Sequence, residues 1–177
     1  MNNLILAQIV AGGAGILNII APQRKERKNM FLLFALGNAF YVVNFLLLGA
    51  YSGAGIQTVY VIQALISMWY AMKNKEYTWR LITLYFILGI SGGLLTLKAY
   101  IDILPLMGAI SYILAIIQKE ENKVRIFTGC TASIWTVYNL LVGAYVAAAF
   151  SGVLIISTVI AFIRYNKGKI INKKESI

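Results

Sequence analysis

The sequence predicts an all-α integral membrane protein of seven transmembrane helices, arranged as two parallel three-helix repeats joined by one linker helix. Three observations carry that expectation. Of 177 residues, 60% are hydrophobic and only 12% are charged, against about 25% charged in an ordinary soluble domain, so there is too little polar side chain to cover a water-facing surface. The apolar residues gather into seven runs of nearly the ~20 residues that a bilayer helix needs. Finally, Leu47-Leu48-Gly49-Ala50-Tyr51 returns as Leu141-Val142-Gly143-Ala144-Tyr145, so that Tyr51 falls on Tyr145 at an offset of 94 residues.

The offset extends well beyond the five-residue match. Lys25-Glu26 falls on Lys119-Glu120, Tyr41 on Trp135, Lys73 and Lys75 on Lys167 and Lys169, and Gln8 on Asp102. A single register kept over that length marks an internal repeat.

Taken in order, the first run lies near Leu4–Ala21. Met1-Asn2-Asn3 before it lacks the positive lead of a cleaved signal, so the run is expected to stay as a span. Gln8, Gly12, Gly15 and Asn18 share one face of it at helical spacing. Pro22-Gln23 closes the span, and Arg24, Lys25, Arg27 and Lys28 follow. The second run, Met30–Leu48, aligns Phe34, Gly37, Tyr41 and Asn44. The third, Ala54–Met72, places Gln57, Tyr60, Gln63 and Ser67 within one broad face.

The fourth run, Trp79–Leu97, has no counterpart at the 94-residue offset. Its Gly89, Ser91, Gly92 and Gly93 suit close packing, since small residues let backbones approach in lipid. The fifth, Ile103–Gln118, follows Asp102 and carries Pro105 in its first turn, where a missing N–H costs nothing. In the sixth, Val124–Val142, Thr128, Thr131, Trp135 and Tyr138 answer the face of the second. The seventh, Ala147–Ile163, sets Ser151 and Ser157 at the offsets of Gln57 and Gln63. The expected organisation is therefore a first triple-helix repeat at 1–75, an inverting linker at 76–101, a second repeat at 102–166 and a short solvated basic tail at 167–177.

Charge sets the orientation. Fifteen of the sixteen Lys and Arg residues lie in alternate connections and the tail, and only Lys98 lies in the opposite set. By the positive-inside rule this places the N-terminus outside and the C-terminus in the cytoplasm. Both repeats carry their basic loops on one side, so they are parallel, and the single linker span restores the direction after three crossings. The net charge of +10 sits in short clusters between apolar runs rather than on a soluble face, which argues against nucleic acid as a partner and for the bilayer.

Little in the chain supports catalysis. There is no histidine, no nucleophile motif, and no pair of membrane-embedded carboxylates to divide acid and base roles. A lone Cys130 excludes an intramolecular disulfide and, without histidine, a Cys/His zinc site; it reads as a small buried hydrophobe. Gly13-Ala14-Gly15 lacks the strand a dinucleotide loop requires and reads as helix packing. No metal and no cofactor is expected.

The polar residues inside the runs admit two readings. They can hydrogen-bond helix to helix, or they can line a cavity near mid-membrane where the two repeats meet, the position of substrate in parallel-repeat transporters. The second reading assigns Tyr41, Asn44, Gln57, Tyr60, Gln63, Trp135, Tyr138, Ser151 and Ser157 to a neutral, aromatic and amide-rich site. Asp102, with Gln8 and Asn18, is a candidate gate or proton site, or else a solvated carboxylate beside a helix N-terminus. Pro22, Gly37, Pro105 and Gly129 are candidate hinges, glycine lowering a helix's resistance to bending.

Parallel three-helix repeats with an inverting helix resemble the SWEET and PQ-loop (MtN3-like) transporter superfamily, and Pro22-Gln23 resembles the dipeptide that names the PQ-loop proteins. More closely, Ala7-Gln8, Leu47-Leu48-Gly49-Ala50-Tyr51, Asp102-Ile103-Leu104-Pro105 and Ile163-Arg164-Tyr165 resemble the YgjV-type family of bacterial inner-membrane proteins. The resemblance implies a multi-pass protein of the bacterial inner membrane, with the lipid bilayer as its surroundings and a small molecule as its substrate. The expected function is transport of a small neutral or zwitterionic polar metabolite by alternating access. The alternative is a non-transporting membrane protein, a receptor or an assembly partner. A homo-oligomer is compatible with either.

Overall fold

A computed structural model describes residues 2–47, 51–95, 100, 103–141 and 145–175. Seven α-helices lie among them: α1 (Asn2–Ile20), α2 (Arg27–Leu47), α3 (Tyr51–Met72), α4 (Trp79–Leu95), α5 (Ile103–Ile116), α6 (Glu121–Leu141) and α7 (Tyr145–Glu175), with a 3-10 turn at Ala21–Gln23 between α1 and α2. No strand occurs among the described residues. Within the described residues, one helix covers most of each of the seven expected runs. Helix α7 runs on through residues 167–175 of the basic segment, where lysine and glutamate are good helix formers.

The helix ends follow local chemistry. The α3 helix stops at a Schellman cap: Asn74 takes a left-handed conformation (φ 49°), and the N–H of Lys75 reaches back to the Tyr70 carbonyl at 3.0 Å. Asparagine tolerates that conformation better than most non-glycine residues. Thr78 caps α4, its Oγ1 accepting from the N–H of Leu81 at 3.4 Å.

The helices pack as neighbours along the chain, α2 between α1 and α3, and α6 between α5 and α7. The α4 helix packs on α3 and α5, and the two groups also touch through α1 against α7 and α3 against α5. Gly89 of α4 lies at this approach: a Cβ there would stand 2.6 Å from Ile113 Cδ1, so the end of that side chain would have to move. The core, with Phe31, Phe34, Tyr60, Tyr85, Tyr112 and Ile113 among its members, is contributed mainly by α2, α3, α4 and α5.

Many large apolar side chains face outward. Ile9 is 66% exposed, Ile87 58% and Ile156 60%, whereas Gln63 is fully buried and Arg125 is 1% exposed. Cys130, expected inside, is exposed; it shares the outer stripe of α6 with Ile126, Ser133 and Val137. Among the described residues, Ile5–Gln23 and Ala148–Asn166 are long and apolar enough to cross a membrane, with shorter apolar stretches at Trp79–Gly92 and Leu106–Ile116.

Candidate functional site

A cavity of about 170 Å³ opens between the two groups of helices, walled by α1, α2, α3, α5, α6 and α7. None of its fifteen lining residues carries a charge. Twelve of them form six pairs separated by 94 residues: Asn18 with Tyr112, Phe34 with Thr128, Asn38 with Ala132, Tyr41 with Trp135, Gln57 with Ser151 and Tyr60 with Leu154. The internal repeat of the sequence is thus a property of this cavity wall, each half of the chain supplying the same positions.

One side of the wall is held rigid. Asn38 Nδ2 donates to Tyr112 Oη at 3.2 Å, and that hydroxyl donates onward to the Tyr60 carbonyl at 3.3 Å. The rings of Tyr60 and Tyr112 lie 4.4 Å apart at 32°, within the range of favourable aromatic contact. A buried chain across α2, α3 and α5 results. Beside it, Tyr60 Oη and Gln57 Oε1 are shut off from solvent without a hydrogen-bond partner. Buried polar groups in native proteins are nearly always paired; Gln23 Oε1, Arg27 Nε and Gln63 Oε1, on residues outside the cavity lining, are in the same state.

On the opposite wall, Trp135 meets Tyr138 edge-on at 5.7 Å and packs over Gly108, where a Cβ would stand 3.0 Å from Trp135 Nε1. Gly15 makes room for the ring of Phe150, which a Cβ would overlap.

Of the nine residues expected to bind substrate, Tyr41, Gln57, Tyr60, Trp135 and Ser151 line the cavity, as does Asn18 from the expected gate group. The other four bond or pack elsewhere. Asn44 Nδ2 donates to the Ala7 carbonyl at 2.7 Å, tying α2 to α1. Gln63 Nε2 donates to the Tyr85 carbonyl at 3.1 Å and receives Tyr85 Oη on its own carbonyl at 3.2 Å, joining α3 to α4. Ser157 Oγ donates to the Ile19 carbonyl at 2.6 Å, and Tyr138 contributes the ring contact behind Trp135. Gln8 is exposed. Asp102 lies outside the described residues.

Among the hinge candidates, Gly37 is a close-approach position, with a Cβ there 2.7 Å from Asn18 Nδ2, while a Cβ on Gly129 would make an ordinary 3.5 Å contact with Thr158. Pro105 falls within α5, its side chain outside the described ones. Pro22 is buried in the 3-10 turn. Asn38 was missed by the sequence reading, although it lies four residues beyond Phe34 and three before Tyr41 on the same helical face.

The turn holding Pro22 and Gln23 is clasped by the second half of the chain. Arg125 Nε donates to the Pro22 carbonyl at 3.0 Å and Nη2 to the Arg24 carbonyl at 2.8 Å. Its guanidinium lies 4.3 Å over the ring of Tyr165, whose Oη donates to the Gln23 carbonyl at 2.7 Å. Gln23 Nε2 in turn donates to Ser157 Oγ at 2.9 Å. The sequence reading counted Arg125 among the loop charges, although it falls just inside the sixth run, Val124–Val142.

Exposed aliphatic side chains around a core that also buries amides, hydroxyls and a guanidinium fit a helical membrane protein. The chain belongs to the Imp-YgjV family of bacterial inner membrane proteins, whose family model matches residues 5–169. No curated protein and no solved structure matches it.

Proposed function

We propose that the protein is a transporter of a small uncharged or zwitterionic polar metabolite, not an enzyme, and that it works by alternating access between two parallel three-helix repeats in the manner of the SWEET and PQ-loop superfamily it resembles. In this reading residues 1–75 and 102–166 are the moving units, 76–101 the inverting linker and 167–177 a basic cytoplasmic end, with the N-terminus outside. The solute sits in the neutral cavity between the repeats. The observation that carries the proposal is the pair of buried, unpartnered polar atoms on residues that line it, Tyr60 Oη and Gln57 Oε1.

A solute presenting an acceptor to the hydroxyl and a donor to the amide oxygen would satisfy both. The neighbouring rings of Tyr41, Tyr112 and Trp135 would cover its apolar or planar part. A bare ion is disfavoured, since burying a charge without a countercharge is costly. The 94-residue pairing of the lining supports the two-repeat reading, because a twofold relation between the repeats would bring equivalent positions to the same cavity.

The test is a thermal-shift screen of the purified protein against small neutral and zwitterionic metabolites, followed by uptake into proteoliposomes. A solute that binds only the folded state raises its stability. Transport requires a stabilising metabolite whose effect is reduced in Tyr60→Phe and Gln57→Leu, and which is taken up faster than in empty vesicles. Binding without uptake would favour a receptor.

A further inference from the structure

A second cavity, of about 630 Å³, opens at the basic end of the bundle, where the α1–α2, α3–α4 and α5–α6 connections meet. Five cationic side chains line it against two carboxylates, Glu26 and Glu121. Two helices also begin there: Arg27 and Lys28 open α2, and Glu121 and Asn122 open α6. Each of those helix N-termini adds partial positive charge and backbone N–H groups without a partner inside the helix.

The cations divide by what they do. Arg125 is committed to the Pro22 and Arg24 carbonyls, and Arg27 donates through Nη1 to the Lys119 carbonyl at 2.9 Å; both are walls. Lys25, Lys28 and Lys119 are exposed. Lys28 pairs with Glu26 at 3.1 Å and Lys119 with Glu76, all four side chains about half exposed or more. Exposed pairs of this kind are weak, so a ligand carrying more charge than a carboxylate can displace them.

From this arrangement we infer an anion site for a phosphoryl group, held by Lys25, Lys28 and Lys119 over the N-termini of α2 and α6. Helix N-termini and clustered basic side chains are together a phosphate-binding arrangement. Lys25 and Lys119 are separated by 94 residues, so one lysine comes from each half of the chain, and the anion bridges the halves at the end that Arg125 already ties. Bound there, it stabilises the arrangement of helices seen here. Ala71 and Met72 supply an apolar flank. The phosphoryl group therefore belongs either to a lipid headgroup or to a water-soluble phosphate.

The experiment measures the unfolding temperature of the full chain in two arms. In neutral detergent, inorganic phosphate is titrated; in nanodiscs, phosphatidylcholine is compared with phosphatidylcholine containing phosphatidylglycerol. Each arm includes the cavity variant Lys25→Gln/Lys28→Gln, the charge-conserving Lys25→Arg/Lys28→Arg, and Lys73→Gln/Lys123→Gln, which removes the same charge outside the cavity lining. The expected result is stabilisation in at least one arm, reduced several-fold in the first variant and kept in the other two. A response to inorganic phosphate assigns a soluble ligand, and a response to phosphatidylglycerol alone assigns the headgroup. No stabilisation in either arm, a response kept by the cavity variant, or equal loss in both glutamine variants would overturn the site.

Discussion

Arg125 of α6 donates through Nε to the carbonyl of Pro22, 3.0 Å away and 103 residues distant in the chain. This bond places a buried guanidinium on the turn between α1 and α2, and Tyr165 and Ser157 of α7 grip the residue next to Pro22. The two halves of the molecule are therefore fastened at their basic ends, below the neutral cavity that both halves line. In the proposed alternating-access cycle, this clasp would have to open for the cavity to reach that side.

Arg125→Gln should release it. A buried carbonyl left without its donor costs about 1–3 kcal/mol, so the unfolding temperature should fall, and a cysteine in the cavity should become accessible to reagent from the basic side. Arg125→Lys keeps a charge but cannot span several acceptors at once, and should fall between wild type and the glutamine variant. Equal accessibility in all three proteins would mean that the clasp does not gate the cavity.

Tyr60 and Tyr112 should separate binding from stability. Tyr112 Oη bridges Asn38 and the Tyr60 carbonyl, so Tyr112→Phe should destabilise by about 1–3 kcal/mol by leaving those groups unpaired. Tyr60→Phe removes a hydroxyl that has no partner and should leave stability unchanged or slightly raised while weakening solute binding about tenfold. Chemical denaturation and ligand titration of the two variants check this. A destabilised Tyr60→Phe with intact binding would assign that hydroxyl to the fold.

Much of this site was legible in the sequence because two periodicities coincide in it. The helical spacing put Phe34 and Tyr41 on one face, and the 94-residue offset named Thr128 and Trp135 as their partners; all four meet in the cavity. The same logic failed at Asn44, Gln63 and Ser157. A polar side chain at helical spacing is equally able to face a neighbouring helix's carbonyl, and these three found Ala7, Tyr85 and Ile19. Only the packing of α1 and α4 decides between the two fates, and no residue pattern within α2, α3 or α7 reports it. Arg125 was hidden for a related reason: a basic residue near a helix start reads as an interfacial charge until the turn it clasps is seen.

Gly37 and Gly129 should behave differently when replaced by alanine. At Gly37 the new methyl would press on Asn18 at 2.7 Å, whereas at Gly129 it meets Thr158 at 3.5 Å. Because Asn18 lines the cavity, Gly37→Ala should weaken solute binding together with transport. Gly129→Ala should bind normally, and any loss of its transport rate would identify it as a hinge. If Gly37→Ala binds normally but transports slowly, it too acts as a hinge rather than as a packing position.

Acid should loosen one outer contact. Glu76, in the α3–α4 connection, is held below its ordinary pKa by the hydrogen bond from Lys119 and by that residue's charge. A carboxyl with a lowered folded pKa stabilises the protein above the usual carboxylate range, and its contribution is lost as the pH falls through the lowered value. Unfolding temperatures of wild type and Glu76→Gln should therefore differ at neutral pH and converge in acid. Curves that stay parallel down to strongly acidic pH would show that the pair has no energetic role.

The central claim is that the neutral cavity is a wet passage for solute, and its most direct test is the accessibility of cysteines placed within it. On a Cys130→Ser background, Tyr41→Cys, Gln57→Cys and Trp135→Cys should react with a small water-soluble methanethiosulfonate reagent in membranes. Phe40→Cys, on the exposed face of α2, should not. The account predicts labelling of all three cavity positions, reduced by any metabolite that stabilises the protein. Cavity cysteines as unreactive as Phe40→Cys, in folded protein, would contradict it and leave a packed bundle with no path for a solute.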